Sequence, residues 1–231
     1  MIYSIQIITK KGTREYALEA NPEMTVLDAL EVIRSGGEKC LHYRHSCHHG
    51  SCGTCGAIIN EKPRLMCLTR LGNLGTRTIV LEPLSKAETL NGVAVFPGQL
   101  FDSLPDTDYL KNTDGSAASI GLGVPEIRYR NVSKLDAKPK RLEDCIECGL
   151  CTAACPVSKD FIGPAACAHI HIETIKHPET SNALLARAFE PDGAPACERA
   201  FECSRVCPQG VAPGKHITAL IMTKQMRGTG R

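Results

Sequence analysis

The feature that most constrains this chain is its set of 13 cysteines in 231 residues, most of them only a few positions apart. The first residues, Met1–Ile8, lack the basic start and long apolar core of a secretion signal, so we expect the chain not to be exported. In such a chain, an odd number of thiols at short spacings argues against a disulfide framework and for metal binding. Since only 4% of the residues are aromatic and none is Trp, we expect metal binding to add stability that large rings cannot supply.

Charge and hydropathy argue against two other classes of protein. The formal net charge of +2 gives no electrostatic reason to expect a nucleic-acid partner. No apolar stretch approaches the roughly 18 residues that a membrane-spanning helix needs, so we expect no transmembrane segment.

The first cysteine group has the spacing of a plant-type [2Fe–2S] site. Cys47, Cys52 and Cys55 follow the pattern Cys-x4-Cys-x2-Cys, and Cys67 is the natural fourth ligand. Small residues, among them three glycines, fill this loop and let backbone N–H groups approach the sulfur atoms. Cys40 is expected to be a buried thiol rather than a ligand.

Two other kinds of metal site use the same residue types. A structural zinc site could use these thiolates, although zinc usually takes paired Cys-x2–4-Cys units, and here one cysteine is shared between two spacings. A Rieske centre would use Cys47 and His49, but no Cys-x-x-His pattern follows, so we reject it. Four nearby histidines are expected to be exposed near a subunit contact rather than to bind metal: His42, His45, His48 and His49.

The second and third cysteine groups together predict two further cluster sites. The second is the bacterial ferredoxin run Cys-x2-Cys-x2-Cys-x3-Cys-Pro, whose fourth cysteine binds the other cluster in two-cluster ferredoxins. The third group has the same length and also ends in Cys-Pro, but Ala200 stands at one ligand position. Exchanging the fourth ligands assigns a [4Fe–4S] cluster to Cys145, Cys148, Cys151 and Cys207. It assigns a [3Fe–4S] cluster to Cys155, Cys197 and Cys203.

Two alternatives stay open for these sites. Two unrelated zinc ribbons would leave an odd number of ligands. A [4Fe–4S] cluster with a non-cysteine ligand could instead occupy the last site, since Glu198, Glu202 or water could approach the corner that Ala200 leaves open. Cys40 and Cys167 have no ligand role in either arrangement.

Hydrophobic periodicity predicts an α+β fold. A capping-box sequence at Thr25 begins a helix that ends near Ser35, and three further helices follow Pro164, Ser181 and Pro213, the last reaching about Met226. The predicted strands are Tyr3–Thr9, Thr13–Leu18, Ala57–Ile59 and Thr78–Leu81, with a hairpin turn at Lys10–Gly12.

The strand, hairpin, strand and helix order is the opening of a β-grasp fold. We therefore expect residues 1–110 to form a β-grasp [2Fe–2S] domain of the plant-type ferredoxin kind. Residues 111–231 are expected to form an α-helical, bacterial-ferredoxin-like domain with the [4Fe–4S] and [3Fe–4S] clusters, the boundary falling between about Leu100 and Val124.

This ordered set of motifs resembles the iron–sulfur subunit of the succinate dehydrogenase/fumarate reductase family. The resemblance covers the β-grasp start, the Cys55-x11-Cys67 spacing and four segments: Arg44–Cys55, Asp144–Cys151, Ile162–Ala166 and Cys207–Lys215. The stretch from about Leu90 to Lys138 resembles nothing that we can place.

The resemblance implies an electron-transfer subunit that does not itself touch the dicarboxylate. In this family, a flavoprotein subunit oxidises succinate or reduces fumarate at FAD, and electrons pass through the [2Fe–2S], [4Fe–4S] and [3Fe–4S] clusters to a quinone in a membrane subunit. The implied location is the cytoplasmic side of the cell membrane, with peripheral attachment through the partner subunits. No catalytic residue is expected in this chain.

The sequence departs from the family pattern at two positions near the expected quinone. The family usually has a Trp shortly after the first Cys-Pro, where this chain has Val157–Phe161. It often has a His directly after the first cysteine of the third group, where this chain has Glu198. An alternative function is therefore a related flavoenzyme whose distal electron partner is not quinone but a thiol/disulfide or a soluble carrier.

Overall fold

The computed structural model describes residues 1–10, 12–38, 41–96, 144–157, 160–176, 178 and 182–228. The predicted domain boundary, the turn residue Lys11 and the spare thiol Cys40 lie outside the described residues. Those three expectations stay predictions.

The N-terminal half is built on a five-stranded mixed sheet. β1 pairs antiparallel with β2, as the predicted hairpin requires, and runs parallel to the central strand β5. The period-two alternation of β1 places Tyr3, Ile5 and Ile7 in the core. The strands are β1 (Ile2–Thr9), β2 (Gly12–Glu19), β3 (Gly56–Ile59), β4 (Lys62–Leu65) and β5 (Thr78–Glu82), in the spatial order β2-β1-β5-β3-β4. A separate hairpin joins β6 (Thr89–Asn91) and β7 (Ala94–Val95).

Helix α1 (Val26–Ser35) begins with the predicted capping box. The Thr25 hydroxyl accepts a hydrogen bond from the Asp28 backbone N–H at 3.1 Å, and the Asp28 carboxylate accepts one from the Thr25 N–H at 3.0 Å. The helix buries Val26, Leu27 and Leu30 in the same core as the sheet. The strand, hairpin, helix and mixed-sheet order confirms the predicted β-grasp class.

The C-terminal half is helical. Its helices are α2 (Leu150–Ala154), α3 (Pro164–Lys176), α4 (Asn182–Ala188), α5 (Glu202–Arg205) and α6 (Pro213–Gly228). The three longer helices begin where the sequence predicts them, whereas α2 and α5 were not predicted because they are too short to show a helical repeat. Helices α3 and α6 pack together through Ile170, Ile217 and Leu220. None of the described helices has both the length and the apolar character that crossing a membrane requires.

The two halves are in direct contact. Leu150 of α2 is buried in the core of the N-terminal half. The Gln209 side-chain amide donates to the Gly50 carbonyl at 2.8 Å, and the Ser85 hydroxyl donates to the Ala153 carbonyl at 3.0 Å. These contacts hold the cysteine loops of the two halves against each other.

The capping box predicts a local stability effect. Changing Thr25→Ala removes the acceptor for the Asp28 N–H, and we expect it to cost about 1 kcal/mol of local helix stability. Native-state amide hydrogen exchange should show faster exchange in the first turn of α1. Thr25→Ser keeps the hydroxyl and should exchange like the unmodified chain; equal protection in the alanine variant would contradict the prediction.

Candidate functional site: three groups of thiols

The first site consists of Cys47, Cys52, Cys55 and Cys67. The Cys47 sulfur accepts hydrogen bonds from the backbone N–H groups of Ser51 and Cys52, both at 3.3 Å. Hydrogen bonding from Ser51, followed by that from the His49 backbone, lowers the pKa of the Cys47 thiol to about 5. This loop therefore stabilises negative charge on sulfur, as the glycine-rich spacing predicts.

The other two thiols of the first site lie deeper. Cys55 directly precedes β3, Cys67 lies in a short 3-10 helix, and their sulfur atoms are 3.3 Å apart. Burial, and then the neighbouring Cys55, raise the pKa of Cys67 to about 12. The surroundings of Cys47 thus favour a thiolate, whereas Cys67 is shielded from water and favours the protonated thiol.

At two positions in the loop of the first site, the backbone conformation and close neighbours leave room only for glycine. Gly50 has φ +80°, and a Cβ there would lie 2.7 Å from the Leu68 side chain. Gly53 has φ +70°, and its Cβ would lie 2.5 Å from the Ile146 carbonyl oxygen and 3.0 Å from the Cys148 Cβ. The loop of the first site therefore reaches the next cysteine group at van der Waals distance, which only glycine allows.

The second site is a cavity lined by all four cysteines that the sequence assigned to the [4Fe–4S] cluster: Cys145, Cys148, Cys151 and Cys207. Burial raises the pKa of Cys148 to about 11 and also raises that of Cys151. Gly149, with φ +75°, precedes α2 and turns the chain between these two thiols. The predicted exchange of the fourth ligand agrees with this geometry, because Cys207 lies on the wall of this cavity.

The third site is a cavity lined by Cys155, Cys197 and Cys203, the set assigned to the [3Fe–4S] cluster. Ala200 also lines it, at the position where a fourth cysteine is missing. Three further residues on this wall are Glu198, Glu202 and Val157. The two carboxylates considered as substitute ligands thus lie at this cavity, and Glu202 forms an ion pair with Arg205.

Two short helices connect the second and third sites. Cys151 lies within α2 and Cys155 at its end, while Cys203 lies within α5 and Cys207 follows it after Val206. Each helix therefore supplies one thiol to each cavity. Cys167 is fully buried in the adjacent helical core, as expected of a spare thiol.

The arrangement fits iron–sulfur clusters by its donor set and backbone geometry. Thiolates are the ligands that such clusters take, and glycines with positive φ bring backbone N–H groups towards sulfur. Within the described ranges, no group of three or more His, Cys, Asp or Glu side chains is placed to hold a single metal ion. A cluster distributes its thiolates over several iron atoms, so its ligands need not converge on one point.

A lysine of the N-terminal half reaches the third site, which the sequence did not predict. The Lys86 ammonium donates to the carbonyl oxygens of Cys155 and Val157 at 2.5 and 2.6 Å. Burial raises the pKa of Cys155, and the positive charge of Lys86 opposes that shift. No motif contains Lys86; its role depends on the contact between the two halves.

The histidines near the first site are exposed, as predicted. The His45 and His48 rings are in hydrogen-bond contact at 2.9 Å, and His49 Nδ1 lies 2.5 Å from the Cys47 carbonyl oxygen. His42 is also exposed. Their expected position near a subunit contact stays a prediction.

Comparison with known proteins agrees with this geometry. A family model described as a 2Fe-2S iron-sulfur cluster binding domain matches residues 6–96. A second, described as a 4Fe-4S dicluster domain, matches residues 141–211. The fold and the sites therefore define a multi-cluster iron–sulfur protein that carries [2Fe–2S] and [4Fe–4S] binding domains.

The proteins most useful for assigning a family are two fumarate reductase iron-sulfur subunits and a chain of the Sdh1 complex. The chain is 32% identical to the fumarate reductase iron-sulfur subunit of Mycobacterium tuberculosis over 230 residues, which is 96% of this chain and 89% of that protein. It is 30% identical to the fumarate reductase iron-sulfur subunit of Haemophilus influenzae, over 93% of this chain and 87% of that protein. A solved chain of the Mycobacterium smegmatis Sdh1 complex in the apo form shares the fold with a TM-score of 0.76 at 21% identity, covering 98% of this chain and 96% of that one. The chain belongs to the family of succinate dehydrogenase/fumarate reductase iron–sulfur subunits, which confirms the resemblance read from its motifs.

The close approach at Gly53 predicts a specific sensitivity. Changing Gly53→Ala imposes a left-handed backbone on a residue with a Cβ, which costs about 1–2 kcal/mol, and also forces a clash with the Ile146 carbonyl. The midpoint temperature of thermal unfolding and the iron content of the purified chain should both fall.

Gly75→Ala is the matched control, because Gly75 has a similar φ of +68° and open space around its Cβ position. This variant should lose only the stability that a left-handed backbone costs a residue with a Cβ, and it should keep its iron. Equal losses in the two variants would show that the contact between the loops is unimportant.

Proposed function

We propose that this chain is the electron-transfer subunit of a fumarate reductase or succinate dehydrogenase complex, relaying electrons between the FAD of a flavoprotein subunit and a quinone in a membrane subunit. The observation that supports this most is the placement of three thiol groups one after another through the molecule, each in contact with the next. When bound, iron–sulfur clusters supply one-electron carriers at these places. The chain's own residues hold and insulate them.

The proposed ligand sets follow the sequence pattern. The [2Fe–2S] ligands are Cys47, Cys52, Cys55 and Cys67, and the [4Fe–4S] ligands are Cys145, Cys148, Cys151 and Cys207. The [3Fe–4S] ligands are Cys155, Cys197 and Cys203. The cavities that gather the second and third sets support this assignment. We also propose that the chain divides into domains at residues 1–110 and 111–231.

The contacts between sites support a continuous path. Cys52 and Cys148 line one small pocket together with Gly53, so the first and second sites lie side by side. Between the second and third sites, the four-residue step from Cys151 to Cys155 along α2 spans about 6 Å. The chain thus brings consecutive sites close without any large-scale motion.

Both ends of the path are exposed, as contact with a separate partner at each end requires. At the first site, His48, His49 and Ser51 are exposed, and we propose that this face meets the flavoprotein subunit. At the third site, Arg199, Ala200 and Phe201 are exposed, and we propose that this end faces the membrane subunit. On this proposal, the chain is attached to the cytoplasmic face of the membrane through its partners.

A second candidate keeps the same path but changes its last step. Val157 lines the third cavity beside Glu198, whereas the family usually has Trp and His near these positions. This difference favours a distal electron acceptor or donor other than quinone, such as a thiol/disulfide or a soluble carrier.

Purification of the native complex tests the proposal. Affinity capture of the tagged chain should bring down an FAD-containing subunit and a membrane subunit, and EPR should show an oxidised [3Fe–4S] signal and a [2Fe–2S] signal on reduction. Dithionite-reduced complex should be reoxidised by a water-soluble quinone at a rate matching turnover. Flavoprotein without a membrane subunit, and no quinone response, would favour the second candidate; a colourless zinc protein would exclude both.

Ala200 predicts a change in cluster type. Ala200→Cys adds a thiol to the cavity wall where the ferredoxin pattern expects one, so the three-iron cluster should become a four-iron cluster. The oxidised [3Fe–4S] EPR signal should disappear while iron per chain rises by one. Ala200→Ser is the size-matched control and should keep the three-iron signal. An unchanged signal in the cysteine variant would contradict the ligand assignment.

A further inference from the structure

His169 on α3 has a buried polar atom that no other described residue satisfies. Its Nε2 is shielded from solvent and has no hydrogen-bond partner in the described part of the chain. The ring lines the second cavity, together with Ala165 one helical turn earlier. Residues four positions apart share a helix face, so this face of α3 forms part of the cavity wall.

Burial lowers the pKa of His169, and the positive charges of Lys176 and His216 lower it further. A neutral imidazole has one N–H donor, and leaving a donor buried without an acceptor costs about 1–3 kcal/mol. With the proton on Nε2, the occupied cavity has to supply an acceptor for it.

We propose that His169 donates a hydrogen bond from Nε2 to a sulfur atom of the [4Fe–4S] cluster and thereby raises the reduction potential of that cluster. The proposal rests on the ligand set proposed above for the second site. The sulfur atoms of a cluster are hydrogen-bond acceptors, and such bonds are one of the means by which a protein sets the cluster's potential. Because the reduced cluster is more negative than the oxidised one, a donor stabilises the reduced state more.

The other two histidines of this region do not share the role. His171 Nδ1 and His216 Nδ1 lie 2.9 Å apart and bond to each other across the α3–α6 interface. Neither residue is on the wall of the second cavity. His171 is therefore a matched control, on the same helix and two residues away.

The test is an EPR-monitored redox titration of the [4Fe–4S] cluster in the purified complex, with iron content measured for every variant. His169→Phe keeps a ring but removes the donor, and it should lower the equilibrium constant for reduction by about threefold to tenfold, which is about 28–59 mV for one electron. His169→Gln places an N–H donor at a similar reach and should restore most of the shift. His171→Phe should leave the potential unchanged.

An unchanged potential in His169→Phe, with full iron content, would overturn the proposal. If that variant loses its cluster, pulsed EPR of the unmodified complex labelled with 15N-histidine decides, because a bonded ring should show a nitrogen coupling to the reduced cluster. Absence of that coupling would also overturn the proposal. If the unmodified chain has no [4Fe–4S] signal at all, the proposed ligand set fails instead.

Discussion

The close approach of two cysteine loops is the constraint on which the rest of this structure depends. Gly53 lies against the Ile146 carbonyl and the Cys148 side chain, so no larger residue fits. The Gln209 amide adds a hydrogen bond to the Gly50 carbonyl from the far side of the second site. These loop contacts, together with Leu150 buried in the sheet's core, hold the two halves against each other.

Protons compete with iron for the buried thiols. Burial raises the pKa of Cys148 to about 11 and that of Cys67 to about 12, so at neutral pH these groups are protonated when no iron is bound. Iron binding must release those protons, and cluster binding therefore weakens as the pH falls towards and below neutrality. Cys47, with its pKa lowered to about 5, loses its proton more readily, so protons compete least with iron at this thiol.

The features that the sequence predicts are those formed by residues close together in the chain. The β1–β2 hairpin, the capping box of α1 and the helix starts at Pro164 and Pro213 all follow from residues close in the chain. The cysteine spacings group the same thiols that line the second and third cavities, Cys207 among them, and their roles as cluster ligands stay predictions. What could not be predicted depends on contacts between distant residues: Lys86 donates to the Cys155 carbonyl across 69 positions, and Gln209 to Gly50 across 159. Short helices such as α5 were missed because four residues give no period.

The three sites place different charges and donors around chemically similar thiol groups. The first receives backbone N–H donors at Cys47. The second has His169 on its wall, whose pKa burial lowers. The third has a lysine charge beside Cys155, and its wall includes the exposed Ala200. Hydrogen bonds to sulfur, net charge and solvent access set the reduction potential of a cluster. The three sites differ in these surroundings more than in their ligands. On the proposed electron path, a chain with nearly uniform cysteine ligation gives each cluster its own potential, because the fold brings different residues to each site.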